Sequence, residues 1–314
     1  WKRDPLNIYA FVVDVPAGAK AITAEFQFLS ATADNQGRIV VTDKMMNLQW
    51  NSFSLYPAGY YARRIPVQAS VTLPAGWQAA GALRGKAAGT TVTYEATDYE
   101  TLIDSPMFAG KYFGRVDLGG NVMLNMVADS AAELAAKPEQ IAAHKKLVSE
   151  AVSLFGARHY DHYDFLLAIT DEMGGIGLEH HRSSENGVDT GYFTKWNDGP
   201  GDRNLLPHEL VHSWNGKFRR PEMLWTPDYR TPMQDSLLWV YEGQTQFWGQ
   251  ILSARSGLWS EDITKGSLAA IAANLDTRRQ GRARCKEDRQ HGGEACGGRI
   301  AFHLNAPEPL VGLV

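Results

Sequence analysis

Two histidines and a glutamate stand close together in a short apolar stretch of the sequence. His208, Glu209 and His212 form the pattern H-E-x-x-H, and Leu and Val surround them. Residues four apart share one face of a helix, so the two imidazoles can bind one ion while Glu209 lies beside it. The pattern predicts one Zn²⁺ per chain. A chance match on a surface helix is the alternative, which the apolar neighbours oppose because buried histidines need a partner or an ion.

A second apolar stretch supplies a candidate for the third metal ligand. Glu242 lies in the run W-V-Y-E-G, between apolar residues on both sides. Catalytic zinc usually has three protein ligands and one open position for water. We therefore predict that Glu242 completes the ligand set. The alternative is a buried acid paired with Arg219 or Arg220.

These three ligands and Glu209 together suit the hydrolysis of a peptide bond. A zinc ion lowers the pKa of water and polarises a carbonyl group. Glu209 is placed to accept the proton of the attacking water and to pass it to the leaving amine. We expect Glu209 to be the general base of a metallopeptidase.

The N-terminal part of the chain has the pattern of an antiparallel β domain. Residues 1–117 contain short β-prone runs, such as 22–29 and 90–94, separated by Gly, Pro, Asn and Asp. Helical periodicity is weak there. We predict a β-sandwich-like domain over 1–117.

The remaining chain mixes helices and strands. A helix is predicted to begin at Pro138 and to end near Gly156, with strands near 163–170 and 176–180 and helices near 204–215 and 235–256. We place this second domain at 118–260. The segment 261–314 becomes rich in Arg and Gly beyond about residue 276, so a poorly structured C-terminal tail is expected there.

Several motifs in this order resemble one metallopeptidase family. The matching residues are His208 to Pro221 (HELVHSWNGKFRRP), Pro227 to Tyr229, Leu238 to Gly243 (LWVYEG), Gly177 to His180 (GLEH), and Tyr99 to Pro106, which includes the D-S-P element. The chain is similar over about residues 94–260 to the glycyl aminopeptidases, the sixty-first family of metallopeptidases, which are gluzincins.

The resemblance implies an α+β architecture, in which an N-terminal antiparallel β domain precedes a thermolysin-like zinc metallopeptidase domain. It also implies an aminopeptidase that removes small N-terminal residues, Gly or Ala, from peptides. By this resemblance Glu179 binds the substrate's α-amine, and the backbone of Gly177 and Leu178 pairs with the peptide. The alternative is that Glu179 is an ordinary strand carboxylate paired with Arg182.

One feature departs from the gluzincin pattern. Gluzincins generally use a tyrosine downstream of the glutamate ligand to stabilise the oxyanion, whereas the last tyrosine here is Tyr241. A missing oxyanion donor costs about 10²- to 10³-fold in rate. A zinc-binding peptide-binding protein with weak or no turnover therefore stays open. A thermolysin-type endopeptidase, which uses the same chemistry, is the other alternative.

Composition limits the classes of partner. The 31 basic and 35 acidic residues give a net charge of −4, which disfavours nucleic acid as a partner. No apolar run is long enough to span a membrane, and the first residues do not resemble a signal peptide. We expect a soluble protein, with a periplasmic or secreted location after signal removal as one compartment that fits. The oligomeric state stays open.

Overall fold

The computed structural model describes residues 1–290. The strands are, in chain order, β1 (Lys2–Arg3), β2 (Phe11–Val12), β3 (Met45–Leu48), β4 (Pro66–Val67), β5 (Ser70–Thr72), β6 (Gln78–Gly81), β7 (Gly85–Ala88), β8 (Thr91–Tyr94), β9 (Thr97–Asp98), β10 (Met107–Gly110), β11 (Phe113–Gly119), β12 (Val122–Ala128), β13 (Tyr163–Ile169), β14 (Gly177–Glu179) and β15 (Ser183–Val188).

Helices follow mainly in the later half of the chain. The α-helices are α1 (Tyr99–Ile103), α2 (Pro138–Phe155), α3 (Leu205–Val211), α4 (Thr245–Ser256) and α5 (Glu261–Gln290). A π-helical turn, Trp239–Gln244, leads directly into α4. Short 3₁₀ turns lie at Asp34–Gln36, Trp50–Ser52, Ala62–Arg64, Ala131–Leu134 and Asp202–Asn204.

The N-terminal part consists of small antiparallel sheets. Their strand orders are β3-β10-β6, β5-β8-β7, β4-β9 and β1-β2. The predicted antiparallel β character is thus confirmed, but the β-prone run 22–29 forms no strand. Its apolar side chains are exposed, with Leu29 at 86%. A strand needs a neighbour that takes up its backbone hydrogen bonds, and local β-propensity alone supplies none.

A five-stranded mixed sheet forms the centre of the second part. Its order is β11-β12-β13-β15-β14, with parallel pairs in the middle and an antiparallel strand at each edge. β14 is therefore an edge strand. The predicted boundary at residue 117 falls within β11, which pairs with β12, and the division into domains stays a prediction.

Strand β13 is buried on both faces. One face packs on the cluster that contains α2, α3 and α4, through Tyr163, Phe165, Leu167 and Ile169. The other face packs on the β3-β10-β6 sheet, through Leu166 and Ala168. Alternate side chains of a strand point to opposite faces, so a continuous apolar run lets one strand join both layers.

Helix ends follow the sequence signals in α2. Pro138 occupies the first turn, and Gly156 ends the helix in the left-handed conformation, with φ of 75°.

The last helix, α5, extends regular structure to Gln290, beyond the change in composition near residue 276. None of its side chains up to residue 277 is buried. The rest of the predicted tail, 291–314, lies outside the described residues.

A buried polar network joins the N-terminal part to the central sheet. His180, in the turn after β14, forms hydrogen bonds through Nδ1 to Asp104 (3.1 Å) and through Nε2 to Glu185 (2.9 Å). Burial lowers the pKa of the His180 imidazole, but Asp104 and Glu185 outweigh burial and raise it to about 9. The network therefore holds an imidazolium between two carboxylates.

Among residues 1–290, no helix combines the length and the apolar character that crossing a membrane requires.

Protonation of His180 predicts a pH dependence of stability. As the pH rises from 6.5 towards about 9, the unfolded chain loses this proton while the folded chain keeps it, so the free energy of unfolding should fall. The shift corresponds to about 3 kcal/mol at most. The urea midpoint of unfolding, measured at pH 6, 7.5 and 9, tests this fall in stability.

In the variant His180→Gln the urea midpoint should depend less on pH. In the control His159→Gln, which changes a more exposed histidine, it should depend on pH as in the parent. Parallel curves for the parent and His180→Gln would contradict the prediction.

Candidate metal centre

Close packing of two helices brings the candidate ligands together. Helix α3 carries His208, and His212 follows its last residue. Gly249 of α4 lies directly against α3: a Cβ atom there would stand 3.1 Å from the His208 Cα atom. The side-chain amide of Asn204 adds a hydrogen bond to Ser253 (2.9 Å). The absence of a side chain at residue 249 thus sets how near the two helices can approach.

The three predicted ligands meet at one point. The His208 and His212 Nε2 atoms are 3.3 Å apart, and the Glu242 Oε2 atom lies 3.5 Å and 3.7 Å from them. Atoms bound at about 2.0 to 2.1 Å to a tetrahedral zinc ion stand about 3.3 to 3.4 Å from one another. The spacing therefore fits a zinc ion at their centre.

The orientation of His212 is fixed by its other ring nitrogen. Its Nδ1 atom lies 3.1 Å from the backbone carbonyl of Asn215 and 3.3 Å from the Thr245 hydroxyl. With the proton on Nδ1, the lone pair of Nε2 points to the candidate site, as metal binding needs. The Asn215 amide also donates to the carbonyls of Val240 and Tyr241, which ties this loop to the turn that carries Glu242.

Glu209 is a buried carboxylate beside the histidine pair. Its Oε2 atom has no hydrogen-bond partner among the described residues. Burial raises the pKa of the Glu209 carboxyl to about 7, although both histidines oppose this. An unpartnered buried carboxylate oxygen costs free energy, and this cost favours the protonated form of Glu209, in agreement with its raised pKa.

The electrostatic field of the site favours positive charge. Burial lowers the pKa of His212, but Glu179, Glu242 and Glu209 reverse this and raise it to about 9. The histidines in turn lower the pKa of Glu242 to about 2, against the effect of burial. With three carboxylates around two imidazoles, a cation is the ligand that the residues present accommodate.

Glu179 also reaches this site. Its carboxylate, that of Glu209 and a ring nitrogen of His212 lie within 4.8 Å of one another. Gly177 passes so close that a Cβ atom there would be 2.6 Å from the Glu209 Oε1 atom, whereas the side chain of Leu178 points into the apolar layer behind the sheet. The face of β14 on which Gly177 and Glu179 project therefore lies towards the histidine pair.

The arginines considered as partners of the acids lie elsewhere. Arg182 pairs with Asp161, with 3.0 Å between Nε and Oδ1. Arg220 donates through Nε to the carbonyl of Gly216 (3.0 Å), and the Arg219 guanidinium lies 5.0 Å from the Phe218 ring centroid.

The contact between Tyr241 and Glu179 was not predicted from the sequence. Its hydroxyl donates a hydrogen bond to Glu179 Oε1, and its ring packs on His212 with centroids 4.7 Å apart. A regular α-helix was predicted over 235–256. The π-helical turn within it rotates the side chains that it carries, so regular helical spacing does not predict this contact. The available sequence signal was the glycine at residue 216. Its φ is 135°, and a Cβ atom there would lie 2.6 Å from the Tyr241 ring.

Two solved structures are similar to this chain over part of their length. The structure of an aminopeptidase N family protein from Idiomarina loihiensis matches with a TM-score of 0.56 and 21% identity, over 69% of this chain and 38% of that chain. Yeast LTA4 hydrolase in complex with bestatin matches with a TM-score of 0.41 and 13% identity, over 67% and 31%. This chain thus spans well under half the length of either protein.

Sequence comparison assigns both parts of the chain to one family. A comparison with curated proteins finds no match. The profile of the Peptidase M61 N-terminal domain matches residues 1–111, and that of the M61 glycyl aminopeptidase matches residues 202–290, which include the H-E-x-x-H helix and Glu242. The chain belongs to the M61 glycyl aminopeptidase family.

Proposed function

We propose that this protein is a zinc-dependent aminopeptidase that removes small N-terminal residues, Gly or Ala, from peptides. The observation that carries the proposal is the triangle of His208, His212 and Glu242 ligand atoms, with sides of 3.3 to 3.7 Å. Membership of the glycyl aminopeptidase family supports the same reaction class.

Each residue of the site has a role in this proposal. His208, His212 and Glu242 hold the ion, which when bound polarises a carbonyl group and lowers the pKa of water. The carboxylate of Glu209 accepts one proton of the attacking water, whose oxygen forms a bond to the carbonyl carbon, and delivers that proton to the leaving amine nitrogen. The C–N bond then breaks, and its electron pair stays on the nitrogen, so that the amine leaves as a neutral group and the carbonyl carbon becomes a carboxyl group.

Recognition of the chain end falls to β14. Because β14 is an edge strand, the backbone groups of Gly177, which point away from β15, are available to pair with an extended peptide, whereas Leu178 lies opposite Glu185 in a hydrogen-bonded pair of the sheet. Glu179 would then bind the α-ammonium group through charge-assisted hydrogen bonds. Its carboxylate lies within 4.8 Å of the Glu209 carboxylate and a His212 ring nitrogen, so an α-ammonium group bound there would lie next to the candidate metal site, which supports an exopeptidase over a thermolysin-type endopeptidase.

Metal content should depend on the three ligands. His212→Ala and Glu242→Ala are each expected to reduce zinc from about one per chain to near zero after dialysis, since two ligands bind the ion far more weakly than three. Elemental analysis of the purified proteins measures this. His159→Ala changes a histidine that stacks on Phe218 outside the site and should keep its zinc. Full zinc occupancy in both ligand variants would reject the assignment.

Turnover should depend on Glu209 without loss of zinc. We expect Glu209→Gln to lower kcat on Ala-p-nitroanilide by about 10²- to 10⁴-fold, because the amide cannot accept the proton. Glu139→Gln, at an exposed position in α2, is the matched control. Equal and measurable rates in the parent and Glu209→Gln would exclude Glu209 as the general base, and no turnover in either zinc-loaded protein would favour the inert peptide-binding alternative.

The free amine should be required. We expect N-acetylation of Ala-p-nitroanilide to lower kcat/KM by at least about 10²-fold in the parent, because Glu179 then loses its cationic partner. Glu179→Gln should lower cleavage of the free-amine substrate and leave the acetylated one nearly unchanged. Efficient cleavage of the acetylated substrate by the parent would instead support the endopeptidase.

A further inference from the structure

The D-S-P element contacts the turn that directly follows Glu179. Asp104 Oδ1 accepts a hydrogen bond from the His180 ring, and Asp104 Oδ2 accepts one from the backbone N–H of His181 (2.8 Å). One carboxylate of the N-terminal part therefore holds both a side chain and the backbone of the β14–β15 turn.

The His180 ring is held equally firmly on its other side. Its Nε2 atom donates to Glu185, which is fully buried in β15. Glu185 also accepts hydrogen bonds from the side-chain amides of Asn47 and Gln49. With both ring nitrogens engaged by carboxylates, the buried His180 ring is held in one orientation, and the backbone of residue 180 is held with it.

The same carboxylate reaches the segment that carries the histidine ligands. Lys217 Nζ lies 2.9 Å from Asp104 Oδ1, and the Lys217 backbone N–H donates to the His212 carbonyl (2.9 Å). Partial burial raises the pKa of the Asp104 carboxyl, but Lys217 and His180 outweigh it and keep this pKa well below its usual range. Asp104 thus links the strand of Glu179 to the chain just beyond α3.

We propose that Asp104 is a positioning residue that, through His180 and Lys217, fixes the Glu179 carboxylate relative to the histidine pair, so that recognition of a substrate's free α-amine depends on the N-terminal part of the chain. The inference rests on the proposed function, because it assumes that Glu179 binds the amine. It assigns a purpose to the D-S-P element and to the histidine of G-L-E-H, neither of which takes part in the chemistry.

A purely structural role makes a different prediction. If Asp104 only joined two layers, its loss would lower stability and weaken every ligand of the site alike. A positioning role confines the effect to ligands with a free amine, because only they contact Glu179. The ratio of affinities for a free and an acetylated peptide therefore separates the two roles.

The experiment measures binding in a zinc-loaded Glu209→Gln background, in which turnover does not interfere. Calorimetry with Ala-Ala-Ala and with N-acetyl-Ala-Ala-Ala gives the amine selectivity. Asp104→Asn should weaken binding of the free peptide about tenfold, as is typical when the partner that orients a site residue is lost. Binding of the acetylated peptide should change less than about twofold, and zinc content should not change.

The matched control is Asp161→Asn, which removes a carboxylate paired with Arg182 at the far end of the same turn; its selectivity should equal that of the background protein. Should Asp104→Asn fail to fold, His180→Gln takes its place, with the same expected loss.

Equal weakening for both peptides, or unchanged selectivity, would overturn the positioning role while the aminopeptidase proposal stands. Absence of selectivity in the Glu209→Gln background itself would overturn the amine-binding role of Glu179, and this inference with it.

Discussion

The crowding of polar groups between α3 and α4 is the constraint on which the rest of the structure depends. Two imidazole nitrogens and a carboxylate oxygen stand within 3.7 Å of one another, beside the buried Glu209. Such groups lose hydration on burial and repel one another where their charges are alike. A fold tolerates this arrangement only if packing around it is strong, or if a cation balances it.

The surrounding core supplies that packing. Leu206, Leu210 and Val211 of α3 are fully buried, and each buried side chain of this size contributes about 1.5 to 3 kcal/mol. They pack against β13, whose alternate residues also bury the β3-β10-β6 sheet. The helix that carries the histidines is therefore anchored to a layer that cannot shift without disrupting both faces of the central sheet.

The local parts of the site were predictable from sequence because local rules govern them. Helical spacing places His208 and His212 on one face, and Pro138 and Gly156 mark the ends of α2. The remaining features depend on distant partners. The run 22–29 has β-propensity without a strand to pair with, Tyr241 is turned towards Glu179 by a π-helical turn, and Asp104 meets His180 across 76 positions.

The proposed metal binding and the proposed recognition of the chain end thus rest on different contacts. The ligand triangle depends on α3, α4 and the loop held by Asn215, which lie in one continuous stretch of chain. The position of Glu179 depends on Asp104, His180 and Glu185, which come from separate elements. Displacing β14 by a small distance would leave the candidate metal ligands in place and remove the proposed contact between Glu179 and the amine. Under the proposed function, selectivity for an N-terminus is therefore the property more sensitive to changes outside the site.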